Sequence, residues 1–310
     1  MSDIRCVVSS HSNPSLSGVA RFNRELARQL GIPCLGLERP VVAEGPVLLS
    51  IKLEDSTPAE QAALADVLAH WKKSRIGFDV FFHTFSGLPI EERCVLESRL
   101  VYAGNAEIRD RLSGHDKKVV AAWCPPLVNG ERRVQEGGLN IFSFGMAHKI
   151  QRHHYLALHD LLEAARLDYE LWVSTAFHEK AQFGDFDSIS EELRGVMGPR
   201  VQFLGFLSDE AVNYFLGKAH LFVSFFPGGV RANNTSVAAA MALGCPVLTN
   251  TDRHSPEWME HGRTVLDIAR LETADLELPR LEKIGACGAA VARERWDWAS
   301  LHSLLRENAT

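Results

Sequence analysis

The chain has 310 residues, 46% of them hydrophobic and 23% charged, which is enough to bury a substantial core and long enough for two domains of ordinary size. A formal net charge of -6 supplies no basic stripe for a phosphate backbone, so nucleic acid is excluded as an expected partner. The opening stretch has no basic region followed by a long apolar segment, and no apolar run is long enough to span a bilayer. The cytoplasm is therefore the expected compartment, with room left for peripheral membrane contact through a modest surface patch.

In chain order, Ile4 to Ser9 has strand character and is followed by the turn-rich stretch His11 to Gly18. A helical pattern comes next over Val19 to Leu30, with Val19, Phe22, Leu26 and Leu30 near helical spacing. Further strands are expected at Pro46 to Ile51, Phe78 to Phe82, Arg99 to Tyr102 and Lys118 to Ala122, with a helix over Pro58 to Lys73. The polar, glycine-containing stretch from Asn129 to Gly138 has no hydrophobic period and reads as an interdomain connection.

A second alternating series then begins. Strands are expected at Leu139 to Phe144, Glu170 to Ser174, Val201 to Leu204, Leu221 to Phe225 and Pro246 to Thr249. The helices between them are expected at His154 to Ala165, Ser188 to Met197, Ser208 to Lys218 and Ser236 to Leu243. The tail from Leu281 is helical in composition. Alternation of this kind implies parallel sheets covered on both faces. The expected class is α/β, with two Rossmann-like doubly wound domains facing across a cleft: residues 1–135, residues 136–284, and a helical tail at 285–310 that packs across both. Loops and helix N-termini at the carboxyl ends of two such sheets suit an anionic, nucleotide-type ligand.

The six cysteines (Cys6, Cys34, Cys94, Cys124, Cys245, Cys287) show neither CxxC nor Cys/His spacing and read as buried small hydrophobes. His148, His153 and His154 are close in sequence, but no carboxylate or cysteine recurs at ligand spacing, so no metal site is expected.

The run from Val201 to Ile268 carries a family resemblance. Phe203-Leu204-Gly205, Glu210, Tyr214, Ala219, Ala240-Met241-Ala242, Gly244, Pro246-Val247, Glu257 and Gly262 follow one another in the order and spacing of the donor-binding half of GT-B glycosyltransferases. The run is most similar to the retaining group typified by sucrose, mannosyl and lipopolysaccharide glycosyltransferases. The resemblance implies a hexosyltransferase-type enzyme of glycan biosynthesis that moves a sugar from a nucleotide diphosphate sugar to a glycan, lipid or small-molecule hydroxyl, without a cofactor or bound metal. Two alternatives share the architecture: a sugar-nucleotide 2-epimerase, for which the first half shows no paired acid and base carboxylates, and a non-catalytic sugar-nucleotide-binding relative.

Site residues follow from the resemblance and from local chemistry. A loop feeding the helix at Ser236 presents backbone N–H groups to a diphosphate that gains charge as the sugar bond breaks. Asn233, Asn234, Thr235 and Ser236 fit a helix cap that also reaches phosphate or sugar hydroxyls; plain capping is the alternative. The family's two glutamates are replaced here by Arg231 and Ala239. Arg231 has the planar fork to bind a diphosphate or an acidic sugar, or it is a solvated loop residue. Lys149 and Arg152 match the cations that related enzymes direct at the donor phosphates. Gly18 resembles the glycine of the first loop, and His83 ends a strand similar to the family's "D.V..H", where it would orient a sugar hydroxyl or shuttle a proton near neutral pH. Glu257 stands where relatives hold the ribose or sugar; alternatively it opens a helix after Pro256.

Overall fold

A computed structural model describes residues 4–37, 45–128, 130–134, 137–146, 150–176 and 183–308. The chain divides into two compact units, Met1–Pro125 with Trp298–Thr310, and Pro126–Asp297.

The first unit is one parallel sheet of six strands: β1 (Cys6–Ser9), β2 (Cys34–Gly36), β3 (Val47–Ile51), β4 (Phe78–Phe82), β5 (Val101–Ala103) and β6 (Val119–Ala121), in the order β2-β1-β3-β4-β5-β6. β3 and β4 are central and buried along their whole length, as two-sided coverage of a parallel sheet requires. Helix α1 (Gly18–Leu30) is capped by Ser17, whose side chain accepts from the Ala20 N–H, and stops at Gly31 in the left-handed region. α2 (Pro58–Ser74) begins with Pro58 after Thr57, which forms a capping box with Glu60. α3 (Pro89–Glu97) and α4 (Ala106–Arg111) complete the crossovers. Within β4, the buried Asp79 takes two bonds from Arg99, at 3.0 and 2.9 Å.

The second unit holds β7 (Leu139–Met146), β8 (Tyr169–Ala176), β9 (Val201–Gly205), β10 (Leu221–Val223), β11 (Val247–Thr249) and β12 (Leu266–Asp267), all parallel, in the order β12-β11-β10-β7-β8-β9. Its helices are α5 (Arg152–Ala164), α6 (Phe183–Met197), α7 (Asp209–Lys218), α8 (Thr235–Ala242) and α9 (Leu278–Arg295). α9 lies close on the α8–β11 turn because Gly285 has no side chain: a Cβ there would stand 2.3 Å from the Gly244 carbonyl oxygen. The last helix, α10 (Trp298–Glu307), returns to the first unit, where Trp298 stacks on Phe22 at 5.7 Å.

Each unit has its own apolar core, one around Leu49, Trp71, Val80 and Phe82, the other around Ile141, Leu158, Val173 and Leu248. The expected α/β class with two doubly wound parallel sheets is what the chain forms. Four cysteines are buried as expected, but Cys34 is exposed and Cys287 half-buried. Cys34 sits on the three-residue edge strand β2, which has a neighbour on one side only.

Candidate functional site

In an open parallel sheet, ligands bind outside the carboxyl ends of the strands where the order reverses. In the second unit that point lies between β7 and β10, since the chain runs outward from β7 through β8 and β9 on one side and through β10, β11 and β12 on the other. The segments leaving β7 and β10 are therefore the relevant ones. They contain most of the site residues expected from sequence.

The loop after β10 is built by its neighbour after β11. The Asn250 carboxamide mimics a strand partner, accepting from the Phe226 N–H and donating to the Phe226 carbonyl, both at 2.8 Å. The Val230 N–H bonds the Asn250 carbonyl at 2.9 Å. Gly228 and Gly229 turn the chain with φ of +76° and +103°, and a Cβ on Gly229 would meet Asp252 at 3.1 Å. Only glycine takes this turn against Asp252 without strain.

Arg231 then turns back into the loop. Its guanidinium grips Asp252 with a two-pronged ion pair, Nη1 to Oδ1 at 2.7 Å and Nη2 to Oδ2 at 2.9 Å, and donates to the carbonyls of Val230 at 3.2 Å and Gly228 at 2.9 Å. Asp252 also accepts from the N–H groups of His254 and Ser255. Burial works against the carboxylate, but these donors outweigh it and hold its pKa below the ordinary value. The Arg231 side chain is buried rather than solvated. With both terminal nitrogens engaged by Asp252, its fork braces two loops, which replaces the solvated loop position that was the alternative expectation for it.

Asn234 is the N-cap of α8, yet it makes no side-chain hydrogen bond to the helix. Its Oδ1 accepts instead from the Arg231 N–H at 2.6 Å, while its own N–H donates to the Arg231 carbonyl at 3.1 Å. The plain capping role is thus not what Asn234 performs. Asn233, Thr235 and Ser236 are all half-buried beside it. The first turn of α8 carries the positive end of the peptide dipoles with no competing cap from Asn234.

On the other side of the switch point, β7 leads to α5. Its N-cap Gln151 likewise gives no side-chain cap. Arg152 is exposed and pairs with Glu192 at 2.6 Å. His154 lies against the Phe225 ring at 4.9 Å, its pKa lowered by burial first and by His153 second. Lys149 and His148 fall outside the described residues. Among the described residues, no group of three His, Cys, Asp or Glu side chains could hold a metal ion.

Glu257 is exposed and sits in a turn after Pro256, not at a helix start. In the first unit, Gly18 opens α1 with open space around its Cβ position. His83 directly follows β4 and is buried, between Phe22 at 5.0 Å and Phe81 at 4.9 Å. Desolvation, then the nearby His11 and Lys52, lower its pKa to about 3. Such a ring stays neutral across the physiological range, so the proton shuttling near neutral pH expected of His83 does not suit this environment. Asp252 and Asn250 were not singled out from sequence. The one trace of Asp252 is the Asp-Arg-His-Ser pattern just past a strand, a composition that favours an Asx-type turn.

No protein-family model matches the chain, and neither does any curated protein. Solved structures do. Sucrose-phosphate synthase from Thermosynechococcus elongatus is similar over 98% of this chain and 98% of its own, with a TM-score of 0.72 and 10% identity. Anabaena Alr3699/HepE, crystallised with UDP and glucose, gives a TM-score of 0.68 and 14% identity over 98% of both chains. A glycosyltransferase from Rickettsia africae ESF-5 gives 0.64 and 12% over 99% of this chain and 97% of that one. The chain shares the two-Rossmann-unit GT-B fold of these proteins.

Proposed function

We propose that the protein is a glycosyltransferase that moves a sugar from a nucleotide diphosphate sugar to a hydroxyl of a glycan, lipid or small-molecule acceptor. The observation that carries this reading is the α8 N-terminus at the β7/β10 switch point, where Asn234 turns its side chain to Arg231 and gives the helix no cap of its own. A departing diphosphate gains negative charge as the sugar bond breaks, and fixed backbone dipoles aimed at that charge lower the barrier without reorganisation. The N-terminus of α5, with no side-chain cap at Gln151, adds a second positive end nearby in the same switch region.

In this reading, Asn233, Thr235 and Ser236 contact phosphate or sugar hydroxyls, Lys149 and Arg152 add positive charge, and Glu257 faces the ribose or sugar. Arg231 contributes through Asp252, by fixing the loop. Gly18 leaves the first unit's loop open to close backbone approach by a ligand. Support for the ligand class comes from the shared fold and from Anabaena Alr3699/HepE, whose structures were solved with UDP and with UDP-glucose. Among the described residues, no helix is long and apolar enough to cross a membrane; a cytoplasmic place in glycan assembly is part of the proposal.

Calorimetric titration of the full chain with nucleoside diphosphates and their sugars tests the donor assignment. Saturable binding of at least one sugar nucleotide, weakened by substitution of Ser236, is the outcome expected. Absence of binding to every member of the panel would overturn it.

A further inference from the structure

The first sheet has its own reversal of strand order, between β1 and β3. A row of buried polar side chains joins these strands, and its hydrogen bonds indicate where the protons sit. Ser9 Oγ stands 2.6 Å from the His11 carbonyl oxygen. A carbonyl only accepts, so the one hydroxyl proton of Ser9 is committed to it. The Asn23 amide group 2.7 Å from Ser9 Oγ must then be the donor, its Nδ2. That places Asn23 Oδ1 against Ser50 Oγ at 2.6 Å, where Ser50 spends its own proton. Ser50 Oγ is also 3.0 Å from His83 Nε2. With its proton used, Ser50 can only accept, so His83 Nε2 carries hydrogen. His83 Nδ1 is left as the lone-pair nitrogen, 3.7 Å from the Cys124 thiol.

We propose that His83, protonated at Nε2, acts as a positioning residue, fixing the start of the loop between β1 and α1 through the relay His83→Ser50→Asn23→Ser9→His11. All donors in the relay point the same way, which favours mutual polarisation of the bonds. The relay ends on the backbone of Ser9 to His11. That segment is tied to β3 as well, by the Ser10 N–H to the Ser50 carbonyl and by the Lys52 N–H to Ser10 Oγ at 3.1 Å. Protonating His83 would put a second donor against a weakly accepting sulfur and a buried charge beside His11 and Lys52, the basic side chains that face it. Cys124 resists ionisation too, its pKa raised by burial. The pair is therefore an uncharged S–H···N contact and not a thiolate–imidazolium couple. If the chain is a glycosyltransferase as proposed, this loop belongs to the surface the first unit offers its ligand; the relay itself does not depend on that reading.

The test needs no substrate, so its failure is separate from failure of that reading. Long-range 15N–1H spectra of the full chain, with His83→Gln to assign the ring, report tautomer and charge directly. The expected result is a protonated Nε2 and an unprotonated Nδ1 with no titration between pH 5 and 8, a window set by the ordinary histidine pKa of about 6.5. Amide hydrogen exchange then reads the positioning role. His83→Leu and Ser50→Ala should each speed exchange at the His11 and Lys52 amides roughly tenfold or more, the scale of losing one hydrogen bond, while His83→Gln, whose Nε2–H can replace the ring donor, should restore slow exchange. If His83→Leu does not fold, Ser50→Ala carries the comparison. An Nδ1-protonated ring, a titration midpoint inside the window, or unchanged exchange in Ser50→Ala would overturn the proposal.

Discussion

Arg231 and Asp252, 21 positions apart, are joined by two hydrogen bonds of 2.7 and 2.9 Å that bind the loop after β10 to the loop after β11. Where the resembling family carries a glutamate, this chain carries a buried cation that has brought its own anion. The pair offsets the cost of burying the arginine, and the loop it secures is the one that ends on α8.

Removing the anion should cost more than removing both partners. Asp252→Ala leaves the guanidinium buried without its counter-charge, and the second unit should lose about 2–4 kcal/mol. Because a lysine has no fork to span the carboxylate and two carbonyls, Arg231→Lys should recover little of the loss caused by Arg231→Ala. Denaturant melts of these three variants and of the double variant Arg231→Ala/Asp252→Ala check this.

The same pair has a pH signature. The folded pKa of Asp252 is depressed, so the unfolded chain binds its proton first and the stabilisation is present above the unfolded value, near 3.9. It is lost as pH falls below that through the folded value. The stability gap between wild type and Asp252→Asn should therefore be constant from neutral pH down to about 5 and shrink below about 4.

His83 acts in a different window. Its folded pKa is lowered to about 3, so as pH drops below the ordinary histidine value of about 6.5 the unfolded chain takes up a proton that the folded chain refuses. Wild type should lose stability relative to His83→Gln by up to about 1.4 kcal/mol for each pH unit between 6 and 4. Equal pH slopes for the two proteins would argue against a buried neutral ring.

Two glycines separate steric need from functional need. Gly229→Ala forces a Cβ toward Asp252 at a φ of +103°, and should destabilise by roughly 1–3 kcal/mol. Gly18 meets nothing within 4 Å, so Gly18→Ala should be neutral or stabilising by up to about 1 kcal/mol, as expected for a helix-compatible glycine. A drop in sugar-nucleotide affinity without loss of stability in Gly18→Ala would mark close backbone approach by the ligand.

Much of this was legible before folding. Apolar runs such as Val47–Ile51 and Phe78–Phe82 announce buried parallel strands, and Thr57-Pro58 with Glu60 announces a helix start. The edge strand Cys34–Gly36 and the two-residue Leu266–Asp267 were not, because so few residues carry no period. Within the site, Arg231 to Ser236 stood out through its place before a helix. Its partner Asp252 did not, since the contact exists only when β11 lies beside β10. His83 was legible as the end of a strand; its burial between Phe22 and Phe81 comes from packing of α1 on the sheet.

Asn234→Asp isolates the charge that the α8 N-terminus would receive. The new carboxylate still accepts from the Arg231 N–H, so the loop should keep its shape, while a negative charge now stands at the helix start. The direct measurement is acceptor-dependent release of nucleoside diphosphate by the full chain across a panel of sugar nucleotides, with Asn234→Asp in parallel. Release should require an acceptor and fall at least about tenfold in the variant, the scale of a like charge a few ångströms away in a partly buried site. Donor isomerisation without transfer, or release indifferent to the Asn234→Asp charge, would overturn the glycosyltransferase reading.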